Sequence, residues 1–408
     1  MSNVSLLTLP IELLHRVFDY LDVQTILDSF RGVCTQLAAV VNTYNRFELD
    51  FNSISKSDCE RVSHLIRPES VISLILSDND SESTQISLFL SSFNIRQFTK
   101  LRSLTLYYID YTEMRQFLQH ISSCSLVSLS VDYYDDQNDE TSECRRRRAA
   151  NEMKALLSSI IAKCTLRKLR LKGFDNIIKD ISWPVPAALN HLTLDTCTYN
   201  QYRAILHRSP HLRSFVMRDC KMNHTDETVL SSSGSACYAQ LTSLSIRNCK
   251  MPIQDLRLLL SLTPSLVHLK LISYQMTFNP KANDYNWEQF IRSQLPHLDE
   301  FEFLFSNSVR GSDDITSLDS LIAPFQTPFW LDDKRWFVTC DYVFRSSEIR
   351  LYTTTMAPIT ESNTGGSIRW ETTSMDSVCR LTKAKVCVKF CLTTEIIFVF
   401  CQPKFRAE

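Results

Sequence analysis

Apolar residues return along the middle of the chain in one short pattern, apolar-x-x-apolar-x-apolar. It occurs at Val71, Leu74 and Leu76; at Leu101, Leu104 and Leu106; at Leu126, Leu129 and Val131; and at Leu166, Leu169 and Leu171. It continues at Leu189, Leu192 and Leu194; Leu212, Phe215 and Met217; Leu241, Leu244 and Ile246; Leu266, Leu269 and Leu271; and Leu298, Phe301 and Phe303. The last two positions of each occurrence alternate with period 2, which predicts a half-buried strand. Stretches of helical pattern stand between them, such as Tyr202 to Leu206 and Leu256 to Leu260. Neither a lone strand nor a lone helix buries its apolar face, so successive units must stack, and right-handed crossovers make the strands parallel.

The first 47 residues follow another period. Pro10 suits the first turn of a helix, and Glu12 then lies near the positive end of the helix dipole. Leu13, Leu14, Val17, Phe18 and Leu21 form a wide apolar stripe. Asp22 is placed to cap a second helix carrying Val23, Ile26, Leu27 and Phe30, and a third runs through Leu37, Ala38, Val40 and Val41. Three short helices have few interior positions, and below about 40 residues a chain seldom folds unaided. Leu6, Leu7, Leu9, Ile11 and the stripe exceed what such helices can bury. The surplus must face either the rest of the chain or a partner.

Here the residues resemble a known family. Leu9-Pro10-x-Glu12-Leu13-Leu14-x-x-Val17-Phe18-x-x-Leu21, then Val33-Cys34, is similar to the F-box signature over about the first 45 residues. The resemblance implies that Leu9, Pro10, Ile11, Glu12, Leu13, Leu14, Val17, Phe18 and Leu21 bind a Skp-family adaptor, and through it a cullin of a ubiquitin ligase. In the third helix Cys34, Leu37 and Ala38 stand where the family often has Trp or another bulky residue. The ninefold pattern resembles leucine-rich repeats, since successive starts lie 23 to 40 residues apart and several intervals fall within that family's period. Cys197, Cys220 and Cys249 each follow their motif's first residue by eight positions, as Asn79 follows Val71. The family turns Asn or Cys inward there to satisfy backbone groups. The expected fold is therefore α/β: a leucine-rich-repeat solenoid, a curved parallel sheet with outer helices, preceded by a small all-α F-box. The expected domains are 1–47, the F-box; 48–305, the array, with an insertion near 132–150; and 306–408, a cap and tail.

Composition narrows the function. Of 408 residues, 44% are hydrophobic and 22% charged, so a folded, soluble chain is expected. The formal net charge of −1 gives no ground for nucleic acid or a membrane surface as partner. The N-terminus lacks a basic run, so no signal peptide is read, and the 14 scattered cysteines are expected as reduced thiols in cytoplasm or nucleus. Asp132 to Glu140 is acidic and Arg145 to Arg148 is a run of four arginines, expected as a solvated loop leading into a helix; a nuclear-localisation role is a second reading. Phe329, Trp330, Trp336 and Phe337 belong to a strand-prone aromatic stretch, 325–344, expected to cap the array. Thr353 to Thr373 reads as loop, and Val386, Val388, Phe390 and Leu392 alternate like a strand. With 6 glycines there is no phosphate-binding loop, and no HExxH, GxSxG or paired CxxC occurs. Cys164 and Arg170 share the spacing of a cysteine phosphatase loop, but Leu166 and Leu169 between them belong to a strand. No enzyme activity, cofactor or metal is expected.

Residues between the buried strand positions face outward, onto the concave side of the expected solenoid. They include Lys168, Arg170 and Lys172; His191; Arg218; Arg247; and His268 and Lys270, followed by Glu300 and Glu302. This basic stripe is either a solvated face or a site for a protein target, with an acidic or phosphorylated segment as the matching chemistry. The function expected is a substrate receptor of a ubiquitin ligase. The alternative is a scaffold or inhibitor that binds protein without target turnover.

Overall fold

The computed structural model describes residues 6–52, 54–78, 85–121, 125–133, 143–162, 165–175, 181, 183, 187–222, 237–274, 286–308, 321–343, 348–353, 355, 368–372, 389–392 and 395–398. It divides into two compact units. The first comprises Met1–Cys197 with Gln201–Leu212, and the second Thr198–Asn200 with Arg213–Glu408.

The first unit opens with short helices. Pro10, extended at φ −56° and ψ 147°, precedes α1 (Ile11–Phe18). Leu14 and Phe18, four residues apart, are its buried positions. The Asp22 carboxylate caps α2 (Val23–Thr25) by accepting the Thr25 N–H at 2.7 Å, and its other oxygen accepts the Thr25 hydroxyl. A wider helical turn, Ile26–Phe30, follows, and the Cys34 thiol caps α3 (Thr35–Thr43). Phe18, Phe30, Tyr44 and Phe47 meet edge to face and close this cluster.

Phe47 also begins β1 (Phe47–Asp50), where Phe47 and Leu49 alternate inward with exposed Glu48 and Asp50. This strand lies outside the ninefold pattern, because two apolar residues carry too little signal. It pairs in parallel with β2 (Val71–Ser77). There follow β3 (Ser103–Ile109), β4 (Ser128–Tyr133), β5 (Lys168–Lys172) and β6 (His191–Thr198), each parallel to the one before. The register aligns the repeated leucines: Leu74, Leu104, Leu129, Leu169 and Leu192 form one buried row, and Leu76, Leu106, Val131, Leu171 and Leu194 the next. Connecting helices α4 (Lys56–Leu65), α5 (Gln85–Ser92), α6 (Tyr111–Ile121) and α7 (Glu143–Ile161) supply Val62, Phe89, Phe117 and Leu157 to the interior. A further helix, α8 (Tyr199–Arg208), follows β6. Where β5 ends, Gly173 takes φ +81°, and a Cβ there would meet the Tyr133 carbonyl oxygen at 2.1 Å, so only glycine fits.

In the second unit β7 (Ser214–Lys221), β8 (Ser243–Ile246), β9 (His268–Ser273) and β10 (Glu300–Ser308) are again parallel. Helices α9 (Ile253–Ser261) and α10 (Trp287–Gln294) connect them. The direction then reverses. β12 (Glu348–Thr353) runs antiparallel to β10, β11 (Val338–Val343) antiparallel to β12, and β13 (Ile368–Thr372) antiparallel to β11. β14 (Lys389–Leu392) and β15 (Glu395–Phe398) form a separate antiparallel pair. The aromatic stretch is not one strand: Phe329 and Trp330 sit in a single wide helical turn, Phe329–Asp333, and pairing starts only at Val338. Packing outweighs strand propensity there, since Trp330 lies against Phe301, Phe325 and Trp336. The Trp336 indole N–H donates to the Asp299 carbonyl at 3.0 Å and ties this cluster to the start of β10. Asn79, Cys164, residues 134–140, Val386, Val388 and most of 353–373 lie outside the described residues; within 353–373, read from the sequence as loop, Ile368–Thr372 is instead strand β13, held by pairing with β11.

Cys197, Cys220 and Cys249 are buried, and burial pushes the Cys249 thiol up to about 12. Such a thiol stays protonated and unreactive at neutral pH. Iodoacetamide should therefore label exposed Cys237 on the native chain and spare these three until denaturant is added, as peptide mass mapping will report. Asp341 is buried and accepts the Tyr352 hydroxyl at 2.7 Å, and burial pushes its carboxyl up to about 6. Folded chain therefore holds this proton to higher pH than unfolded chain. Its contribution to stability is full below about pH 4 and is lost as pH rises through about 6. Asp341→Asn should leave stability flat across that window and raise it by about 1–3 kcal/mol at pH 7.5, read from urea unfolding midpoints.

Candidate functional site

The N-terminal helices carry two apolar faces. Leu14, Phe18 and Leu21 recur at helical spacing and turn inward: Leu14 and Phe18 are buried and Leu21 half-buried. Leu13, Val17 and Tyr20 recur at the same spacing on the other side and are exposed, Tyr20 at 90%. Leu6, Leu7 and Ile11 are exposed as well, as is Val33 at 67%. Of the expected adaptor residues, Pro10, Ile11, Glu12, Leu13 and Val17 are thus open to a partner and Leu9 partly so. Leu14 and Phe18 are instead buried, and Phe18 meets Tyr44 and Phe30 edge to face. Tyr20, in the turn after α1, is not among the residues read from the sequence. A cavity of about 230 Å³ lies between α1 and β1. Among its lining residues Asp19 pairs with Arg46 at 3.0 Å and accepts the Tyr44 hydroxyl at 2.9 Å.

The outward rows of the strands are the second surface. In the first unit Lys168, Arg170 and His191 are exposed, while Lys172 is half-buried. Lys172 donates to Asp132, its register partner on β4, at 2.6 Å, and that bond holds its ammonium above the usual lysine range. In the second unit Arg218 and Arg247 are exposed. His268 and Lys270 face Glu300 and Glu302 directly across the β9–β10 ladder, at 2.9 and 2.8 Å. The basic stripe expected from the sequence is therefore already matched by carboxylates at Lys172, His268 and Lys270. One-dimensional reading sets these acids 32 to 40 residues away; register brings them into contact. The arginine run, expected in a loop ahead of the helix, instead lies in the first turns of α7, with Arg147 and Arg148 exposed. Among the described residues no group of three His, Cys, Asp or Glu side chains is placed to hold a metal, and no helix is long and apolar enough to cross a membrane.

Comparison with known proteins places one segment. No curated protein matches the chain. Among solved structures, the crystal structure of the Rad7 and Elc1 complex in yeast aligns at 12% identity over 65% of this chain and 87% of that one. Its TM-score of 0.28 is too low to carry any argument about this chain. Residues 6–49, which include all three N-terminal helices and their exposed apolar face, match the family described as the F-box domain.

Proposed function

We propose that this chain is the substrate-recognition subunit of an SCF-type cullin–RING ubiquitin ligase. Residues 6–49 dock a Skp-family adaptor and through it a cullin. The strands and helices that follow are a leucine-rich-repeat solenoid whose outward strand rows bind a protein target. The chain has no catalytic role in this reading; ubiquitin transfer belongs to partner subunits, in cytoplasm or nucleus. The observation that carries the reading is the coincidence of the F-box match at 6–49 with an uncovered apolar face. Leu13 and Val17 are more exposed than a helix gains from leaving them so, and at about 25 cal/mol per Å² their burial against a partner drives docking. Leu14 and Phe18 support that face from beneath.

The test separates the two faces of α1. Leu13→Glu with Val17→Glu replaces only exposed side chains, so circular dichroism should be unchanged. Adaptor pull-down should fall by at least about 30-fold, the loss of one strong interface residue. Undiminished capture would sink the adaptor assignment. Capture of the adaptor without a cullin would point to the scaffold reading.

A further inference from the structure

The outward face of the second unit changes character along its strands. In register, Ser214, Ser243, His268 and Glu300 share the first row, and Val216, Ser245, Lys270 and Glu302 the second. In both rows the basic side chain already has its carboxylate, at 2.9 and 2.8 Å. The third row is made differently, of Arg218, Arg247, Ile272 and Leu304. Ile272 and Leu304 are register partners across β9 and β10. The Arg247 N–H donates to the Met217 carbonyl at 2.9 Å, which sets Arg247 beside Arg218, and the Cys249 N–H donates to the Ile272 carbonyl at 2.8 Å, which closes the end of β8 onto β9. Two arginines therefore border two aliphatic residues.

Neither half of this row is matched within the unit. Arg218 and Arg247 are exposed, and Arg247 has no carboxylate within ion-pair distance among the described residues. The acids around the row are engaged elsewhere. Asp219 is buried and accepts the Lys250 N–H at 3.4 Å, Glu302 holds Lys270, and Asp341 accepts the hydroxyl of Tyr352, the β12 partner of Leu304. Ile272 and Leu304 are only half-buried, and Tyr274, two residues beyond Ile272, is 55% exposed. An uncompensated cation favours an anion from solution, and neighbouring apolar side chains open to water favour a cover. One ligand answers both only if its negative charge adjoins apolar surface.

We infer that the third outward row of β7 to β10 grips the free carboxyl terminus of the target, with apolar side chains on its last residues. This rests on the substrate-receptor reading and specifies its ligand. An aspartate or glutamate inside a chain has polar backbone on both sides of it. A chain end instead holds its carboxylate one bond from the Cα that bears the last side chain. The planar guanidinium fork of Arg247 takes both carboxylate oxygens. Adjacent strands lie about 4.8 Å apart, so Ile272 and Leu304 stand about 4.8 and 9.6 Å from that point. An extended segment rises about 3.4 Å per residue, and its last three residues cover both.

The full chain should be titrated against a degenerate peptide pool, labelled at its N-terminus with fluorescein and ending in two leucines with a free carboxylate. Two further pools serve as references: the same peptides with an amidated end, and amidated peptides carrying one internal glutamate. Anisotropy should show the free-ended pool binding at least about tenfold more tightly than either, with affinity falling as salt rises. Arg247→Ala, which removes only an exposed side chain, should abolish that preference, and Leu304→Ala should weaken the free-ended pool about fivefold. Arg170→Ala, on the first unit, should change nothing. Equal binding of the amidated pool, equal binding of the internal-glutamate pool, or an Arg247→Ala variant that keeps the preference would overturn the inference. Adaptor capture is scored on the same preparations. Its loss beside an intact preference for free ends would strike at the receptor reading instead.

Discussion

Each parallel strand in either unit is too short to hide its apolar row alone, and the fold follows from that constraint. Stacked in register, the rows of the first unit become a continuous interior of Leu74, Leu104, Leu129, Leu169 and Leu192. The second unit repeats the arrangement with Phe215, Leu244, Leu269 and Phe301. Truncating one such leucine to alanine costs about 2–5 kcal/mol, a large part of the stability of a domain. Period 2 has a second effect. It fixes every other residue on the inner side and leaves its neighbour unconstrained on the outer one, where charge and hydroxyls collect without disturbing the core.

Each unit flanks its parallel strands differently. At the start, the three helices spend half of their apolar residues on themselves and on β1, and the other half remains outside. In the second unit the aromatic cluster of Trp287, Phe301, Trp330 and Trp336 and the reversed strands β11 to β13 continue the sheet beyond β10. An uncovered apolar face in one place and thorough covering in the other is what distinguishes a docking surface from a packing one.

Much of this was legible in one dimension because it is periodic. The strands stand where the ninefold pattern put them, and Leu14 with Phe18 and Leu13 with Val17 were both visible as helical spacings. Which of these two pairs faces inward was not, since the answer depends on where Tyr44 and Phe30 arrive. β1 escaped for want of length, and the turn at Phe329–Asp333 because local propensity there yields to aromatic packing. The outer face shows the same limit. Lys168, Arg170, Lys172 and Lys270 look alike along the chain, yet register gives Lys172 and Lys270 a carboxylate and leaves Lys168 and Arg170 with serines.

The central claim is that one surface meets the ligase and a different one meets the target. Amide hydrogen exchange of the purified chain, with and without a purified Skp-family adaptor, tests it most directly. The account predicts new protection over residues 6–33, at Leu13, Val17, Tyr20 and their neighbours, with the amides of β2 to β6 unchanged. Protection that falls on the strands instead, or none at all on the helices, would contradict it.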